Sequence, residues 1–138
     1  MIDLQPIVAA LKAAGCPRVL GVLEYAALEN APAQLPAHFV VPIDDQASPS
    51  RTNGIIDQRV VVTFQVITVV AAQAALAGRP SDELRQAVLK ARRTILGKTF
   101  PETVQPAELV NGRLMSARAR EAVWGDRFRT AIHERVYP

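Results

Sequence analysis

A run from Gln58 to Val70, uninterrupted by Gly or Pro, places Val60, Val62, Phe64 and Val66 on one face and the mixed set Arg59, Val61, Thr63, Gln65 and Ile67 on the other. A period of two predicts a strand, and here one with a wholly apolar face. At about 3.3 Å per residue it reaches roughly 43 Å, longer than most strands of globular proteins.

Elsewhere the period lengthens to that of a helix. Leu4, Ile7, Val8 and Leu11 share one side of a segment that Asp3 would cap, that carries Pro6 in its first turn, and that runs to Ala14 before Gly15 and Pro17 stop it. A second helix is predicted from Pro80–Asp82 to Gly97, with Leu84, Ala87, Val88, Ala91 and Ile95 on its inner side, and Arg85, Lys90 and Arg93 largely elsewhere. Asp82 and Glu83 suit its first turn, where the helix dipole favours negative charge.

Shorter segments complete the reading. Arg18–Leu23 is a strand or a turn, Ala26–Asn30 a helical turn, and His38–Ile43 a short strand that Pro42 should end or confine to a sheet edge. Asp44–Gly54 is polar, contains Pro49 and Gly54, and is expected to form a mobile loop spanning about residues 44–56. Asn111–Gly112 lies between short apolar pieces and signals a hairpin, and two strands, Glu121–Trp124 and Arg127–Val136, are expected on either side of Gly125–Asp126. This order predicts a single α+β domain over residues 1–138, with a mainly antiparallel or mixed sheet, a long central strand and covering helices.

Composition is consistent with that architecture. The 138 residues suit one domain, and 49% apolar with 21% charged residues is a globular balance. Cys16 is the sole cysteine, so no disulfide forms within the chain, and it reads as a structural thiol. The first residues lack the basic-then-apolar form of a signal peptide and no apolar run is long enough to span a bilayer, which makes a cytoplasmic chain the default expectation.

The net charge of +3 is unevenly placed. Residues 1–69 hold four Lys/Arg against six Asp/Glu, or −2, while residues 70–138 hold twelve against seven, or +5. Such asymmetry can steer a negative partner or let copies pair head to tail.

Candidate chemistry is sparse. His38 and His133 have no second ligand at metal-binding spacing, and the dinucleotide, P-loop and hydrolase-elbow motifs are missing. Both histidines read as ordinary, partly exposed strand residues. Asp44–Asp45, and Glu121 with Asp126 around Trp124, read as surface carboxylates. Arg92–Arg93, Arg113, Arg118 and Arg120 could contact phosphate or serve as solvated or intersubunit charges, and Trp124 is either a core or an interface anchor. No catalytic, cofactor-binding or metal-binding residue is predicted.

The stretch LPAHFVVPIDDQASPS, the Gln58–Val70 strand, the helix after Gly78 and Pro80, and the closing NGRLMSARAREAVWGDRFRTAI together resemble the tail terminator, or tail completion, proteins of tailed bacteriophages and prophages. The resemblance covers about 100 residues from Leu35 to Arg135. It implies a non-enzymatic structural protein, active in the host cytoplasm during assembly and then in the virion tail. Its copies, six by that resemblance, would form a ring that caps the tail tube and offers a docking face to head completion proteins. The implied partners are the chain itself, the tail tube protein and a head completion protein, without cofactor, membrane or sequence-specific nucleic acid.

Mapped onto this chain, the resemblance implies a subunit or tube interface at Arg59, Val61, Thr63, Gln65, Ile67, Arg113 and Trp124, and a lumen or axial loop at Ser50, Arg51, Thr52, Asn53 and Gly54. Gly112–Arg113–Leu114 would form the hairpin, and Trp124, Asp126 and Phe128 the closing strand pair. The competing readings are another head–tail connector or minor tail component, a small nucleic-acid-binding module, or an enzyme with a dispersed site.

Overall fold

The computed structural model of the chain describes residues 1–21, 35–51, 53–71, 80–117 and 121–137. Its elements are α1 (Gln5–Ala13), β1 (Arg18–Leu20), β2 (Ala37–Ala47), β3 (Ile56–Ala71), α2 (Pro80–Ile95), β4 (Glu108–Ala117) and β5 (Glu121–Val136). The strands form one five-stranded sheet in the order β1, β2, β3, β5, β4. β1 is parallel to β2 and the other neighbours are antiparallel, giving the expected α+β class with a mixed sheet. The helical turn expected at Ala26–Asn30 lies outside the described residues.

The central strand is longer than its alternation suggested. Every residue of β3 pairs with β5, from Ile56 opposite Val136 to Ala71 opposite Glu121. β5 is correspondingly one strand, not two: Gly125 and Asp126 lie opposite Ile67 and Val66 in an unbroken ladder. Asn111–Gly112 likewise makes no turn. Both residues sit inside β4, opposite Arg127 and Asp126.

Pro42 does not end β2. The register with β3 shifts between Pro42 and Asp44, making Ile43 an extra residue, and the ladder continues until Ala47 faces Val60. β1 reaches only as far as Phe39, so among the described residues no strand pairs with the other edge of β2 at Pro42. Strands β2 and β3 thus take both ends of the expected 44–56 loop, leaving residues 48–55 as the connection.

Both helices cover the apolar face predicted for β3. Ile7, Val8 and Leu11 of α1 and Ala91 and Ile95 of α2 pack in one buried cluster with Val40, Phe64, Val66 and Phe128. The Phe64 and Phe128 rings stack at 5.5 Å between centroids, and each fully buried side chain of this size stabilises by about 1.5–3 kcal/mol. Ile2 extends the layer onto Val60, Val62 and Ile132. Cys16 is buried here, where desolvation pushes its thiol above the usual pKa against the opposing charge of Lys90.

The start of α1 differs from the expected Asp3 cap: Leu4 occupies the N-cap position without a side-chain hydrogen bond, while Asp3 Oδ1 accepts one from Gln5 N at 3.0 Å. Gly15 and Gly97 follow α1 and α2 with φ of 90° and 77°, a conformation that L side chains disfavour.

The second face of the sheet divides in two. Towards the end of β3, Phe39, Val41, Ile67 and Val69 form a buried cluster with Leu20, Leu35 and Val123 against them. Towards its beginning no helix among the described residues lies on the face: Arg59 is exposed, and Val61 and Thr63 are half-buried.

Candidate interaction surfaces

The helix-free half-face is a grid of charge. Arg135 lies opposite Asp57, His133 opposite Arg59, Arg129 opposite Thr63 and Arg127 opposite Gln65. β4 adds Glu108 opposite Arg129 and Arg113 opposite Gly125. Asp57 Oδ1 stands 3.3 Å from His133 Nδ1 and 3.2 Å from Arg135 Nε, and Arg129 Nε donates to Glu108 Oε1 at 2.9 Å. Arg59 donates to Gln105 Oε1. Gln105 belongs to the segment that joins the β5 edge through Val104 N–H to Ala131 O and Thr130 Oγ1 to Gln105 O. Exposed pairs of this kind stabilise by about 0–1 kcal/mol each, so the grid sets a pattern of charge more than a stability.

Arg59, Val61, Thr63 and Arg113, named from the sequence, lie on the same side of the sheet, Arg59 and Arg113 exposed, Val61 and Thr63 half-buried, with Arg113 in the row of Ile67. Gln65 and Ile67 point to the same side but are buried, at 6% and 2% exposure. The Gln65 amide reaches towards Met115 Sδ at 3.9 Å, and Ile67 belongs to the second apolar cluster.

Trp124 lies on the other side of the sheet, half-buried, opposite Thr68. Its Nε1 donates to Asp126 Oδ1 at 2.8 Å. The same carboxylate receives Arg92 Nε on Oδ2 at 2.7 Å and Arg92 Nη2 on Oδ1 at 2.8 Å. Asp126 is only 3% exposed, correcting its reading as a surface carboxylate, and its hydrogen bonds raise the Arg92 pKa. This fork ties α2 to β5 and explains Gly112, one of two glycines read as turn signals; Gln65 and Met115 account for the other, Gly125. A Cβ at Gly112 would stand 2.2 Å from Asp126 Oδ1 and 2.7 Å from Arg92 Nη2; one at Gly125 would strike Gln65 Nε2 at 2.4 Å and Met115 Sδ at 2.6 Å. Tertiary contact, not chain reversal, selects glycine at both positions.

His38 is also no ordinary strand residue. It is 1% exposed, and its Nε2 donates to Ala87 O on α2 at 3.2 Å while Nδ1 has no hydrogen-bond partner among the described residues. Burial lowers its pKa, with the Ala87 carbonyl opposing.

The residue 48–55 connection is braced at its base. Ser48 N donates to Arg59 O at 2.9 Å, Gln58 Nε2 to Ser48 O at 3.0 Å, and Asp57 N to Ser50 Oγ at 3.0 Å. Arg51, Asn53 and Gly54 are exposed, Gly54 with φ of 81°; Thr52 lies outside the described residues.

The geometry offers surfaces for association. Among the described residues, no three His, Cys, Asp or Glu gather as a metal site, and no helix is long and apolar enough to cross a membrane.

A sequence model of the family described as phage tail terminator protein matches residues 1–137, taking in the N-terminal helix. A search of curated protein sequences returned no match. Among solved structures, a chain of the virion of a native gene transfer agent particle is similar in fold: its TM-score is 0.56 at 13% identity, over 91% of this chain and 86% of that one.

Proposed function

This chain belongs to the phage tail terminator family, whose members are tail structural proteins, and from that premise we propose that its copies close into a ring capping the end of the tail tube. Six copies complete the ring, one face meets the tube protein, and the opposite face receives a head completion protein. The chain acts without catalysis, first in the host cytoplasm and then in the virion.

The family match along almost the whole chain carries this reading. The unlike sides of the sheet support it. A closed ring needs heterologous contacts, in which each subunit presents two different surfaces to its neighbours. Here the side that carries both helices is available to neighbouring copies, and the opposite side, with a charged grid containing Arg59, Val61, Thr63 and Arg113, to the tube. Exposed Arg51, Asn53 and Gly54 suit an axial or lumen position.

Assembly of the cognate tube protein with and without this chain tests the proposal. Electron microscopy should show rings at one end of tubes whose growth has stopped. Tubes that keep growing, with the chain absent from their tips, would overturn the reading in favour of a connector or minor tail component.

A further inference from the structure

We propose that neighbouring copies join through oppositely charged surfaces on the helix-covered side: a cationic groove along α2 of one copy receives the acidic, apolar-tipped end of the β3–β5 ribbon of the next. The pairing rests on the ring reading above.

The groove is lined by Arg85, Leu89, Lys90, Arg93 and Lys98, with no carboxylate among its lining residues. Lys90 Nζ donates to Gly15 O at 3.1 Å. Arg85, Arg93 and Lys98 are exposed and form no ion pair among the described residues. Leu89 contributes apolar surface within the groove, and nearby Leu96 is 39% exposed.

The far end of the same side has the opposite character. Asp45 Oδ2 stands 3.1 Å from the Met1 amine, and Glu134 and Glu102 are near enough to act on that amine as well. All three carboxylates are exposed. The ribbon continues past the last β2 pair at Ala47–Val60 and the first β4 pair at Glu108–Arg129, so its final rungs project beyond both neighbouring strands. At its tip Ile56 pairs with Val136, and these residues and Tyr137 are 48%, 60% and 70% exposed. Glu134 lies eight residues along β5 from the Asp126 that anchors α2, about 26 Å away.

Two surfaces on one chain thus each combine exposed apolar groups with charge, of opposite sign and at separated positions. Apolar contact ringed by complementary charge is the usual anatomy of a specific interface, the charge setting register and encounter rate. Because the surfaces differ and lie apart, each copy can contact two others head to tail.

Sedimentation velocity at high protein concentration and low salt tests the pairing with Arg85→Glu/Arg93→Glu and Glu102→Lys/Glu134→Lys, four exposed positions. The parent should associate, and less so as salt rises. Each reversed variant alone should sediment as a monomer. Their equimolar mixture should associate again, because each supplies the surface the other has lost. A parent that stays monomeric, a reversed variant that associates like the parent, or a mixture that stays monomeric overturns the pairing. Circular dichroism checks folding, and a variant that does not fold is replaced by Arg85→Gln/Arg93→Gln or Glu102→Gln/Glu134→Gln, each expected to weaken association. Tube capping by the parent is scored separately. Capping that survives both reversals rejects the pairing and leaves the ring reading standing; a parent that does not cap rejects the ring reading.

Discussion

Arg92 on α2 holds Asp126 on β5 through two nearly equal hydrogen bonds, 2.7 and 2.8 Å, in a setting where the carboxylate is 3% exposed. Trp124 completes the contact from within the same strand. Removing one partner of such a pair leaves the other's charge uncompensated, so Arg92→Ala should destabilise the fold by about 3 kcal/mol or more. Replacing both with apolar residues, Arg92→Met with Asp126→Leu, should cost less than the single change. Denaturant midpoints at constant m-value check the order.

Gly112 and Gly125 offer a contrast in the same strand pair. A methyl at Gly112 meets the locked Asp126–Arg92 fork, whereas one at Gly125 meets the free ends of Gln65 and Met115, the latter 36% exposed. Gly112→Ala should therefore be the more damaging, by about 2 kcal/mol against about 1 kcal/mol or less for Gly125→Ala. Equal losses in thermal melts would refute this account of Gly112.

His38 should make stability pH-dependent. Its folded pKa is lowered chiefly by burial, so the unfolded chain binds this proton more readily than the native one. Stability attributable to His38 is full above the ordinary histidine pKa of about 6.5, and declines as pH falls through that value towards the folded pKa. His38→Gln should reduce the difference in melting temperature between neutral and mildly acidic buffer. A parent and variant with identical pH profiles would exclude the mechanism.

Val61 and Ile67 separate surface from core on one face. Ile67 is 2% exposed within an apolar cluster, so Ile67→Asp buries an unpaired charge and should abolish folding. Val61 is half-buried on the open half-face. Val61→Asp should keep a native circular dichroism spectrum, and under the ring reading it should weaken capping of the tube.

The long strand and both helices were legible because their signals are local. Alternation from Val60 to Val66 and the spacing of Ala87, Val88, Ala91 and Ile95 report directly which side chains turn inward. What misled was glycine and charge. Asn111–Gly112 and Gly125–Asp126 have the composition of turns, yet both lie in strands, because their glycines make room for side chains distant in sequence. Asp126 and His38 look like surface residues until Arg92 and Ala87, on a helix many residues away, are brought over them. The shared side of Arg59, Val61 and Thr63, of which only Arg59 is fully exposed, followed from side-chain parity; the burial of Gln65 and Ile67 depended on contacts that parity alone does not report.

The sixteen-rung union of β3 and β5 also gives the chain a mechanical axis. At about 3.3 Å per rung it extends roughly 50 Å, and tension along it loads the ladder in shear, with many hydrogen bonds resisting together instead of opening one by one. A subunit stretched between two neighbours along this direction behaves as a stiff strut, while force applied across the strands would peel the sheet from its short outer member, β1.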